Sequence, residues 1–132
     1  EWRQGINAQQ PNQGSVMPTV QWIKSQSKTW LKLHSVNLES VTARGVYVIW
    51  HAGEPSRTVR VGQGDIASRL NAHRRDQEIS RYARFGELYV TWATVPESQM
   101  DGVERYLAET LAPQVGDAFP DCLPIAVNGP WG

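Results

Sequence analysis

A hairpin signature constrains this chain more than any other feature. Gly45 to Trp50 (GVYVIW) is a short apolar run rich in β-branched and aromatic residues, which predicts a buried strand. His51 to Ser56 (HAGEPS) is turn material, and Thr58 to Val61 (TVRV) alternates as a returning strand. The two make a β-hairpin with a six-residue connection. Gly62-Gln63-Gly64 reads as a break after it. Asp65 then suits the N-cap of a helix running to about Arg75. On that helix Ile66 and Leu70 form an apolar stripe, while Arg69 and His73 share a neighbouring face four residues apart.

The rest of the chain completes a small domain. Residues 77 to 84 suit a second short helix, and Glu87 to Val95 a third strand. A last helix covers about 98 to 111 and ends before Pro113; Val103, Leu107 and Leu111 pack it down, with Glu104 at the edge of that stripe. The order β-β-α-α-β-α predicts an α+β domain: a small three-stranded, mainly antiparallel sheet flanked by helices. Residues 1–16, rich in Gln, Asn, Gly and Pro, read as a linker or disordered tail. Residues 17–40 read as an N-terminal helical arm, with Pro18 in its first turn and Trp22 and Trp30 covering one side of the domain. The domain proper then spans 41–132. Its C-terminal tail, with Pro120, Pro124 and Pro130, wraps the surface and includes an extended piece at Leu123 to Val127.

Length and charge narrow the function. At 132 residues there is room for one core. No run of eighteen apolar residues exists and no basic-then-apolar leader opens the chain, so no membrane partner is expected. A single cysteine, Cys122, makes a reducing, cytoplasmic setting the expectation. Zero formal net charge argues against a general nucleic-acid coat. The charges are segregated, however: residues 57 to 84 carry seven arginines against three acids, and from 85 onward seven acids face Arg105 alone. That pattern gives either two solvated faces or a cationic face for phosphates with a carboxylate close by.

The candidate chemistry lies where those segments meet. Tyr47 on a strand, Arg60 on its hairpin partner, an arginine–histidine pair at 69 and 73, and the helix carboxylate Glu104 suit work on a phosphodiester. Such cleavage needs a deprotonated water, neutralised phosphoryl charge and a stabilised leaving oxygen. Taken singly, each residue has an ordinary reading as sheet packing or a solvated helix face. No other constellation competes: there is no Cys–His metal spacing and no Walker-type phosphate loop, and Gly62-Gln63-Gly64 is too short for a dinucleotide fingerprint.

Gly45-Val46-Tyr47, Arg60-Val61-Gly62-Gln63, Arg69-Leu70-x-x-His73 and Glu104 nine residues before Pro113 together resemble the GIY-YIG nuclease family over about residues 43 to 116. The resemblance implies a metal-dependent endonuclease acting on DNA, branched or of specific duplex sequence. It implies Tyr47 as general base, Arg69 as phosphate clamp, His73 as its assistant, and Glu104 as ligand of one Mg2+ or Mn2+ ion. Arg60, Gln63, Arg74 and Arg75 are the candidate substrate contacts. Two positions depart from the family pattern: Arg60 stands where a second tyrosine is usual, and Gly116 where asparagine is frequent, with Asn128 the nearest later candidate for that role. These departures keep open an alternative, a catalytically silent module of the same fold. Such a module would bind nucleic acid without cutting, or dock a protein through the tryptophan-rich arm.

Overall fold

The structure is a computed structural model, and it describes residues 18–116 and 118–132. The expected linker at 1–16 lies outside the described residues. Four strands, three α-helices and one 3-10 turn make an α+β domain: β1 (Leu31–Lys32), β2 (Arg44–His51), β3 (Arg57–Asp65), α1 (Ile66–Arg74), α2 (Gln77–Ser80), the 3-10 turn Arg81–Arg84, β4 (Leu88–Thr94) and α3 (Glu97–Leu111). The sheet is antiparallel throughout, in the order β1-β4-β2-β3. It has four strands rather than the expected three, because Leu31 and Lys32 pair with Val90 and Tyr89. No helix among the described residues is long and apolar enough to cross a membrane.

Alternation along β2 divides the molecule into two cores. Tyr47 and Ile49 point to the side covered by Ile66 and Leu70 of α1 and Ile79 of α2. Val46, Val48 and Trp50 point to the other side, against Met100, Val103 and Leu107 of α3. Both faces of β2 are therefore buried, which explains why its sequence is a continuous apolar run.

The N-terminal arm is extended and not helical. Over residues 18–30 no helix forms, and the chain instead runs beside β4. The Ile23 N–H donates to the Trp92 carbonyl at 3.0 Å, and the Thr91 hydroxyl donates to the Ile23 carbonyl at 2.7 Å. Two local features oppose a helix. Lys28 adopts a left-handed φ of 67°, and the Ser25 hydroxyl accepts from the Thr29 N–H at 3.1 Å and lies 2.8 Å from the Thr29 hydroxyl. The arm also covers the outer edge of β4, which would otherwise present unpaired backbone groups. Trp22 and Trp30 pack against the α3-side core.

The tail returns across the molecule. The Ile125 N–H donates to the Gly102 carbonyl at 2.9 Å, Val127 is buried, and the Trp131 ring meets Trp50 edge-on at 5.2 Å. The Asn128 amide pairs with both backbone groups of Val20, accepting from N–H at 2.7 Å and donating to the carbonyl at 2.9 Å. Its side chain thus ties the tail to the arm, as a strand neighbour would.

Candidate active site

The site is built around β3, the edge strand next to β2. That strand runs through Gly62-Gln63-Gly64 to Asp65 and does not break there. The reason is steric. Tyr47 stands directly opposite Gly62, and a Cβ at Gly62 would lie 2.1 Å from the Tyr47 hydroxyl and 2.3 Å from Cζ. The strand continues because glycine leaves room for the tyrosine ring.

Asp65 caps α1 as expected, its carboxylate accepting from the Ser68 N–H at 3.1 Å. His73 does not share with Arg69 the face next to the apolar stripe. It falls one turn beyond Ile66 and Leu70 on the buried side, only 6% exposed, while Arg69 is exposed. There the Tyr47 hydroxyl and His73 Nε2 meet at 2.6 Å, with Tyr47 wholly buried. Burial pushes the His73 pKa down to about 4, helped by the Arg60 and Arg69 charges and opposed by Asp76. The ring is therefore neutral at pH 7. In the tautomer with its hydrogen on Nδ1, Nε2 would accept from the tyrosine hydroxyl; in the other it would donate to it.

That shift gives the first prediction. Between pH 6.5 and about 4 the unfolded chain binds a proton at His73 that the folded chain does not, so stability falls as pH drops through this window. The parent should lose about 2 kcal/mol at His73 between pH 7 and pH 5. Denaturant melts at both pH values, compared with His73→Gln, isolate it. Equal pH dependence in the two proteins would show that His73 is protonated in the fold.

A β-bulge sets the position of Arg60. The β2–β3 register shifts between Ile49 and Trp50, so Ile49 faces Arg60, Trp50 faces Thr58, and Val59 has no partner on β2. Simple alternation would put Val59 and Val61 on one face with Arg60 opposite them. Instead Val59 joins the α1-side core, Val61 joins the α3-side core, and Arg60 stands on the Tyr47 side of the sheet. Its Nε is buried without a hydrogen-bond partner among the described residues. Gly116, at φ +100°, lies over the guanidinium; a Cβ there would sit 2.8 Å from Arg60 Nη1.

Glu104 approaches from the other side of the sheet. It is 8% exposed on α3, and its Oε1 accepts from Gln63 Nε2 at 2.6 Å. The same nitrogen donates to Asp101 Oδ1 at 2.7 Å. Gln63, expected as a substrate contact, thus has its amide on two carboxylates one helical turn apart. Burial raises the Glu104 pKa; the Gln63 hydrogen bond and the Arg60 and Arg69 charges oppose this, and Asp101 adds to it. Arg60 and Arg69 therefore act electrostatically on both His73 and Glu104. Gly62 and Gln63 are consecutive, so one edge strand holds the tyrosine on one face and the carboxylate on the other.

The remaining candidates are placed elsewhere. Arg74 is spent on the fold: its guanidinium donates to the Leu33 carbonyl at 2.7 Å, to the Val36 carbonyl and to the Asn71 side chain. Arg75 is the exposed C-cap of α1. Asn128, tied to Val20, does not serve the site. Asp101 was not a sequence candidate, although its i, i+3 spacing from Glu104 was the signal that could have found it.

Among the described residues no three His, Cys, Asp or Glu side chains gather as a metal cluster. The donors offered here are the carboxylates of Glu104 and Asp101. They fit a hard cation such as magnesium, which binds through one or two carboxylates together with substrate phosphates. The raised pKa of Glu104 also marks a carboxylate whose charge the protein leaves undercompensated.

No family model, curated protein or solved structure matches this chain.

Proposed function

We propose that this chain is a metal-dependent endonuclease domain of the GIY-YIG type that hydrolyses DNA phosphodiesters. The observation that carries the reading is the buried 2.6 Å contact between the Tyr47 hydroxyl and a neutral His73. It gives the buried Tyr47 hydroxyl a partner that fixes its orientation and can relay its proton, which an isolated strand tyrosine lacks. In this mechanism Tyr47 takes a proton from water while its own passes to His73 Nε2. The water oxygen attacks phosphorus in line, the bond to the leaving oxygen breaks and that oxygen takes a proton from solvent, while His73 gives its proton back to solvent. Arg69 and Arg60 neutralise charge on the phosphoryl oxygens. Glu104, with Asp101 beside it, would hold a Mg2+ or Mn2+ ion, whose chemistry there is charge neutralisation at the phosphoryl and leaving oxygens.

The two departures from the family pattern support each other. Arg60 needs more space than a tyrosine hydroxyl at the strand edge, and Gly116, where asparagine is frequent, is the residue that lies against its guanidinium.

The test is nicking of supercoiled plasmid with Mg2+, Mn2+ or EDTA. Metal-dependent conversion to open circle is expected, and Arg69→Ala should slow it by about a hundredfold or more, the usual cost of removing one preorganised donor. Arg69→Ala cutting at the parental rate would remove Arg69 from the mechanism.

One observation favours a second reading, a silent DNA-binding module. Tyr47 is wholly buried, so its hydroxyl does not meet solvent in this structure. That reading predicts salt-sensitive DNA binding with no cleavage under any metal.

A further inference from the structure

Beside Arg60 lies a groove whose other lining residues the proposed chemistry does not use. Arg60, Glu78, Arg81, Gln114 and Gly116 line it. Gln114 also forms a wall of an adjoining cavity of about 300 Å³, lined by His51, Glu54, Arg57, Tyr82 and Phe85 among others. The two spaces share Gln114, so the groove beside Arg60 and an aromatic pocket adjoin on the surface.

The pocket has features that a solvated loop does not need. Phe85 is a large apolar side chain left 51% exposed. Its ring lies 5.5 Å from His51 and 5.9 Å from Tyr82, and His51 and Tyr82 are within 11° of parallel. The His51 ring is buried, and burial followed by the Arg57 charge lowers its pKa, so this aromatic wall is uncharged at neutral pH. Arginines flank the rings: Arg84 lies 5.0 Å over Phe85 and Arg81 lies 5.4 Å over Tyr82. Four arginines (57, 60, 81 and 84) line or border the two spaces, against Glu54 and Glu78.

We propose that these adjoining spaces bind an unpaired strand of the DNA substrate, with phosphates along Arg60 and Arg81 and one base stacked against the exposed Phe85. A cationic track beside exposed aromatic faces is the general recognition mode for single strands, since every base has a π-face. Paired bases in a duplex are stacked and cannot enter such a pocket without flipping out. Glu54 adds a carboxylate acceptor suited to an exocyclic amino group. This inference rests on the reading above that the substrate is DNA, and it narrows the substrate to DNA with an unpaired arm beside the cut.

The test is binding in EDTA, where no cutting occurs, to a forked DNA carrying 2-aminopurine in one unpaired arm and to a blunt duplex of equal length. The parent should prefer the fork and quench the 2-aminopurine by stacking. Phe85→Ala should bind the fork about tenfold more weakly and lose the quench. Phe85→Leu keeps an apolar side chain but no π-face, and should also lose the quench. Thermal melts of both variants establish that they fold. Equal parental affinity for fork and blunt duplex, a quench that survives Phe85→Leu, or equal affinity for an RNA arm would each overturn the proposal. If plasmid nicking fails while the Phe85-dependent quench persists, the catalytic reading falls and this one stands. Nicking without any quench gives the reverse.

Discussion

Glu104→Gln is expected to reduce metal-dependent cleavage by at least about a hundredfold while leaving the fold no less stable at pH 7. Gln has nearly the same volume, and its carbonyl oxygen can still accept from Gln63 Nε2, which now holds Glu104 Oε1 at 2.6 Å. What disappears is the charge. Residues that merely orient a metal ligand are worth 10- to 100-fold, so loss of the ligand's charge should cost at least the upper end, about a hundredfold. The stability side follows from the raised pKa. Above the unfolded carboxyl value the folded state holds its proton more tightly than the unfolded one, so the stability contribution of Glu104 falls as pH rises through the folded pKa. Glutamine removes that fall. The stability difference between variant and parent should therefore shrink as the pH drops below the unfolded value. Nicking assays paired with denaturant melts at two pH values check both halves. A variant that cuts like the parent removes Glu104 from the site, and one that melts far below it makes the carboxylate structural.

Gly62→Ala should be strongly destabilising for a single added methyl group. The added Cβ would lie 2.1 Å from the Tyr47 hydroxyl, 2.3 Å from Cζ and 2.8 Å from Cε2. The ring has no room to retreat, because its hydroxyl is held 2.6 Å from His73 Nε2 and the residue is wholly buried. Overpacking costs about 1–3 kcal/mol, and displacing the hydroxyl leaves buried polar groups unpaired for a further 1–3 kcal/mol or so. A total of roughly 2–6 kcal/mol is a large share of a small domain's stability and lowers Tm by about 8–25 °C. Gly129→Ala is the matched control, since its Cβ would meet nothing nearer than the Gly132 carbonyl oxygen at 4.0 Å. Its melt should stay within about 0.5 kcal/mol of the parent. A Gly62→Ala melt equally close to the parent would falsify the tight approach of Tyr47 to β3.

Much of the fold was legible in the sequence because its signals are local. The apolar run at 45–50, the turn at 51–56, the Asp65 cap and the 3.6-residue stripe of α3 each report on a few neighbouring residues, and each element formed where those signals lie. The arm at 17–40 misled for the same reason. Its apolar spacing admits a helix, but the open edge of β4 offers its backbone better partners than a helix built on the Ser25–Thr29 turn. Gly62-Gln63-Gly64 misled in the opposite sense. Two glycines usually end a strand, yet here Gly62 is required by a side chain fifteen residues earlier.

By itself the sequence determined an α+β domain with a central buried hairpin and a capped helix after it, and it nominated Tyr47, Arg60, Arg69, His73 and Glu104 as candidate site residues. Only the tertiary structure decided how those side chains are disposed. The bulge at Val59 turns Arg60 to the tyrosine's side, burial makes His73 a neutral partner for the Tyr47 hydroxyl, and Gln63 gathers Asp101 with Glu104. The physical reason is the same in each case. Which face a side chain takes, and whether its charge survives, depends on register and desolvation, and both are set by residues distant in the chain.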